Sequence, residues 1–128
     1  APATCPLSQE AHARIAAVRN AYIGLWADFL RNRLEVAGER AVALLQILRT
    51  IPDSGKDEDL LVTEADFLYI AGASRGNDHE LLERALACYS RLVALPDSVG
   101  NCNVRRMRAE TLLRLRRYQE AFQAFGEL

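Results

Sequence analysis

The chain has 128 residues, half of them apolar, with 16 Lys and Arg against 17 Asp and Glu. That composition fits one globular domain and excludes a disordered, collagen-like or linker-like chain. A net charge of −1 gives no global attraction to nucleic acid or an anionic membrane, and no apolar run approaches the roughly 20 residues of a membrane span.

The 20 Ala and 19 Leu outnumber the 12 Val and Ile together, so an all-α fold is expected. Ala1-Pro-Ala-Thr-Cys-Pro6 reads as an extended tail over 1–7, with no Met at its head. Its small residues suit either a processed, exported chain or an excised fragment, which leaves cytoplasmic and exported compartments both open. Ser8 reads as a helix N-cap. Ile15, Val18, Tyr22, Trp26 and Phe29 then recur at intervals of three and four, predicting a helix to about Arg33 with Gly24 inside it. Gly38 reads as a break. Ala41, Leu44, Leu45 and Leu48 make a second stripe that stops at Ile51-Pro52-Asp53-Ser54-Gly55, with a polar loop to Asp59.

A third helix is expected from about Leu60 or Thr63, carrying Phe67, Leu68 and Ala71. Ser74-Arg-Gly76-Asn77-Asp78 reads as a turn with Asp78 as the next N-cap. Leu81, Leu82, Ala85, Tyr89 and Leu92 line a fourth helix ending at Leu95-Pro96-Asp97-Ser98. After Gly100-Asn101, the residues Val104, Met107, Thr111 and Leu115 line a fifth, broken near Arg116-Arg117. Tyr118, Ala121, Phe122 and Phe125 complete a sixth. The whole chain, 1–128, is read as one domain.

The chain also resembles itself. Ala41-x3-Leu45-x2-Leu48-x2-Ile51-Pro52-Asp53-Ser54 matches Ala85-x3-Tyr89-x2-Leu92-x2-Leu95-Pro96-Asp97-Ser98, at a constant offset of 44 residues. Ala121-x3-Phe125-x2-Leu128 returns the pattern 36 residues later. A small residue followed one turn on by a large one lets two helices approach closely and fills the gap beside them.

On these residues the chain resembles the tetratricopeptide repeat family, most closely over 81–128. There Leu112 and Leu115-Arg-Arg-Tyr118-Gln-Glu-Ala121-Phe-Gln-Ala-Phe125 look like the family's large, aromatic and small positions. It departs from the family at Phe29, Arg105 and Arg108, and its longer repeat offset is about ten residues too large. The resemblance implies three antiparallel helix hairpins, roughly 8–54, 60–98 and 101–128, stacked as a short right-handed superhelix. It implies a non-enzymatic role, holding a protein segment or partner subunit in a groove. In that register Asn103, Arg106, Glu110, Leu113 and Arg114 would line the groove on the fifth helix, with Asp66 and Tyr69 on the third. The alternative is a self-associating subunit of a larger assembly, since a terminal repeat ending on an amphipathic helix lacks a polar cap.

No catalytic or cofactor-binding constellation is expected. His12 and His79 have no zinc-type spacing, and His79 beside Asp78 and Glu80 reads as a solvated first turn. Asp53, Asp57, Glu58 and Asp59 make an acidic loop without the cadence of a calcium-binding loop. Cys88 reads as a small core residue, with pairing to Cys102 as the alternative, and Cys5 suits pairing between chains.

Charge is unevenly spread. Residues 53–83 carry nine acids against Lys56 and Arg75, a local net of −7, while 105–128 carry a net of +3. Arg105, Arg106 and Arg108 fan around one turn, so some are expected to reach acids on neighbouring helices. An acidic or C-terminal carboxylate partner fits the arginine fork, whereas the acidic third helix opposes nucleic acid.

Overall fold

A computed structural model describes residues 9–51, 57–95 and 102–128. Among them are six helices and no strand: α1 (Gln9–Leu30), α2 (Leu34–Arg49), α3 (Glu58–Ser74), α4 (His79–Ala94), α5 (Cys102–Arg114) and α6 (Tyr118–Gly126). The fold is all-α. Ser8, Cys5, the Pro52-Asp53-Ser54-Gly55 stop, its counterpart Pro96-Asp97-Ser98 and Gly100-Asn101 lie outside the described residues.

Local chemistry sets several of the helix ends. The Asp57 carboxylate accepts the Leu60 amide at 3.2 Å, and the Asp78 carboxylate accepts the Leu81 amide at 3.2 Å. Asp78 therefore caps α4 as expected. Helix α3, by contrast, starts ahead of the expected Leu60, because Asp57 is its cap and Glu58 and Asp59 sit at the positive end of its dipole.

Helix α1 stops at Leu30, short of the expected Arg33, because Asn32 adopts the left-handed conformation at φ 64°. The Arg33 amide then bonds the Asp28 carbonyl at 2.9 Å, and the Asn32 amide bonds that of Phe29 at 3.0 Å. The same closure recurs at Arg116, φ 62°, where the Arg117 amide reaches the Leu112 carbonyl at 3.0 Å. This is the break expected near Arg116-Arg117.

Gly38 is not a break. It lies buried inside α2, where a Cβ would sit 3.1 Å from the Cβ of Ser74 at the end of α3. Its missing side chain permits close approach of two helices.

Each helix packs on the next in chain order, and α1 and α5 also touch α3. Helix α3 is consequently enclosed: Phe67, Ile70 and Ala71 are fully buried and Leu68 nearly so. The repeated alanines behave alike, with Ala41, Ala85 and Ala121 at 0%, 0% and 1% exposure. Their large partners Leu45 and Tyr89 are buried, whereas Phe125 is half-buried and Leu128 exposed. Tight packing is closest at Gly72, where a Cβ would lie 2.9 Å from Leu82 Cγ and 3.2 Å from Leu81 Cβ.

Two glycine substitutions should therefore have opposite signs. Gly72→Ala overpacks the α3–α4 contact at about 1–3 kcal/mol, outweighing the ~0.5–1 kcal/mol that Ala offers a helix. Gly24→Ala meets nothing within 4 Å and should stabilise α1 by about 0.5–1 kcal/mol. Urea midpoints of both variants read the difference directly.

Candidate functional site

One face each of α1, α3 and α5 encloses an open cleft of about 560 Å³. Helical spacing assembles its walls. Tyr22, Trp26 and Phe29 lie at i, i+4 and i+7 on α1, as do Val62, Asp66 and Tyr69 on α3, and Arg106, Glu110 and Arg114 follow at successive fours on α5. Asn103, Val104 and Met107 complete the α5 side.

Six of the seven residues expected to line a groove, namely Asp66, Tyr69, Asn103, Arg106, Glu110 and Arg114, line this cleft. Leu113 does not. One residue of helix turns it about 100° from Arg114, and it is left 45% exposed elsewhere on the surface.

At the floor, Asp66 is 4% exposed. Its carboxylate accepts hydrogen bonds from the hydroxyls of Tyr22 on α1 and Tyr89 on α4. Burial pushes Asp66 above the usual carboxylate range, and the tyrosine hydrogen bonds pull it partly back. Burial, with the adjoining Asp66 charge, raises both tyrosines, so their hydroxyls stay protonated as donors.

Above the floor, Trp26, Phe29 and Tyr69 form a ring cluster with centroids 5.8–6.1 Å apart, two of the pairs edge-on. The Arg114 guanidinium lies 5.7 Å from the Phe29 centroid and 5.3 Å from that of Tyr69. Its Nε donates to the Tyr69 hydroxyl at 2.6 Å and its Nη1 to Asn77 Oδ1 at 3.2 Å. One side chain thus ties the end of α5 to α1, α3 and the left-handed turn after α3. Burial raises Tyr69, and Arg114 offsets part of that shift.

Arg106 and Glu110 are different. Among the described residues neither is held by a hydrogen bond or ion pair, although both act electrostatically on the Tyr69 hydroxyl. With Asn103, whose side chain is likewise unbonded among the described residues, they are free polar groups of the cleft.

The other arginines of this region go elsewhere. Among the described residues Arg105, Arg106 and Arg108 reach no acid on a neighbouring helix, contrary to expectation; it is Arg117 that pairs, with Glu83 at 3.6 Å and Glu120 at 2.8 Å. Arg108 Nε instead donates to the Ser90 hydroxyl at 3.2 Å, and Arg105 is exposed. Cys88 and Cys102 are unbridged, and burial pushes the half-buried Cys88 thiol up to about 11. His79 is exposed at the start of α4. Among the described residues no three His, Cys, Asp or Glu side chains gather as metal ligands, and no helix is long and apolar enough to cross a membrane.

The sequence reading missed the aromatic wall. Tyr22, Trp26 and Phe29 were visible as an apolar stripe, but that stripe reads as core until α5 is seen standing opposite it.

Asp66 gives a pH signature. Its folded pKa is raised above the unfolded value of about 3.8, so the native state holds the proton more tightly. Its contribution to stability is complete below that unfolded value and is lost as pH rises through the folded one. Denaturant midpoints measured across this window should fall with pH in the wild type, and Asp66→Asn should remove that component of the slope.

No family model, curated protein or solved structure matches the chain, so the cleft's own geometry and chemistry bear on its use.

Proposed function

We propose that the chain is a non-enzymatic, tetratricopeptide-like interaction module whose six helices work as three hairpins holding a protein segment in the α1–α3–α5 cleft. The observation that carries this is the convergence of Asp66, Tyr69, Asn103, Arg106, Glu110 and Arg114 with the aromatic face of α1 around one open cleft. The succession of helix-on-helix contacts, with α1 and α5 both against α3, supports the same reading. Large, rigid aromatic surface beside a few free polar groups is what recognition needs. The lining supports binding over catalysis, because Asp66 is engaged by two tyrosines and Arg114 by its own neighbours.

A displayed random-peptide library tests the reading. Selected peptides should shift the backbone resonances of α1, α3 and α5. A library that yields no binder, or binders that perturb only α2 and α6, would sink it.

A second reading is self-association. On α6, Tyr118 and Phe122 lie one turn apart and are 61% and 84% exposed, which favours burial against another copy. Light scattering over a concentration series should then show a dimer that Phe122→Glu returns to monomer. A strict monomer at every concentration rejects this reading.

A further inference from the structure

The two cleft arginines have different jobs, and the difference says what a bound segment carries. Arg114 is spent within the molecule. Its guanidinium is stacked on Phe29 and Tyr69 and donates to the Tyr69 hydroxyl and Asn77. Its three partner residues are all neutral, so no ion pair neutralises its guanidinium.

Arg106 stands two turns earlier on the same face of α5 and has no hydrogen bond or ion pair among the described residues. Its whole fork is available for a carboxylate. The Tyr69 hydroxyl accepts from Arg114 and, among the described residues, donates to nothing, so its proton is also free. Two acids oppose these groups. Glu110 lies between the arginines without pairing to either, and Asp66 is buried with both carboxylate oxygens already accepting from tyrosines. The donors that remain open to an incoming anion are therefore the Arg106 fork, the Tyr69 proton and, one turn before Arg106, the Asn103 amide.

Across the cleft stand Trp26, Phe29 and Leu30, the last 76% exposed. This wall has no polar group at its surface beyond the indole N–H. A ligand with a bulky apolar group on one side and an anion on the other matches this wall and the Arg106 fork together.

We propose that the cleft binds an acidic peptide segment in which a bulky apolar side chain seats against Trp26, Phe29 and Leu30 while a neighbouring side-chain carboxylate pairs with Arg106 and the Tyr69 hydroxyl. Arg106 is the residue that selects the acid, and Arg114 is a positioning residue that holds the Tyr69 hydroxyl and the aromatic wall. This rests on the segment-binding reading of the cleft and adds the chemistry of the segment.

The chain's single Trp lines the cleft, so its emission reports occupancy without a label. Four probes are titrated: an end-blocked pentapeptide with central phenylalanine flanked by glutamates, its glutamine and lysine counterparts, and phenylacetate. The glutamate peptide should bind about tenfold tighter than the glutamine peptide, the scale of one added charge-assisted hydrogen bond. The lysine peptide should be weakest.

Arg106→Gln should erase the glutamate advantage, and Arg106→Lys should restore part of it because a point charge replaces the fork. Arg106 is exposed, so neither change disturbs the core, and unchanged circular dichroism checks this. Equal binding of the glutamate and glutamine peptides would overturn the acid requirement while leaving segment binding intact. Binding of phenylacetate alone would overturn segment binding and with it this proposal. A glutamate preference that survives Arg106→Gln would overturn the assignment of Arg106. Silence from all four probes would overturn the proposal outright.

Discussion

A buried carboxylate organises this molecule. Asp66 sits in α3, the helix that α1, α2, α4 and α5 all touch, and its two oxygens accept from tyrosines on α1 and α4. A carboxylate removed from water is costly unless it finds partners, and these partners must come from both sides at once. Three helices are therefore held in one mutual arrangement. Replacing such a buried polar cluster with apolar groups of the same shape costs little, whereas deleting one partner strands the others. Its role is accordingly one of placement. It fixes where the floor of the cleft lies and directs Trp26 and Phe29, one and two turns beyond Tyr22, toward α5.

Arg114 does the complementary task at the other end of the cleft. Helix α5 meets α3 over a small contact, so the guanidinium bridging Tyr69, Phe29 and Asn77 holds its last turn in place. Asn77 can serve as acceptor there because it lies in a left-handed turn with Gly76, a conformation both residue types tolerate. The split charge of the sequence is resolved locally. The acids at the start of α3 serve its cap and dipole, Arg117 pairs with acids, and Arg106 and Arg114 face the cleft without an ion pair among the described residues.

Much of this was legible in the residues. Ala41, Ala85 and Ala121 marked helix contacts because only a small side chain admits another backbone so closely. Asp78 announced a helix start because its carboxylate can accept a first-turn amide. Gly38 misled, since a glycine that ends a helix and one that lets two helices touch look alike in one dimension. Asn32 and Arg116 close helices through backbone geometry. Asn often adopts that left-handed conformation, but Arg carries no comparable signal. Leu113 was placed in the cleft by family register, but the face set by Arg106, Glu110 and Arg114 turns it away.

The sequence by itself determined the helices, the Asp78 cap and the residues able to form a polar face, because these depend on spacing within one segment. Which helix faces meet depends on distant segments, so only the tertiary structure decided three things. It turned an apolar stripe on α1 into the wall of a cleft. It made Asp66 a floor residue gripped by tyrosines 44 and 23 positions away. And it separated two similar arginines into one that holds the cleft together and one that is free to meet a ligand.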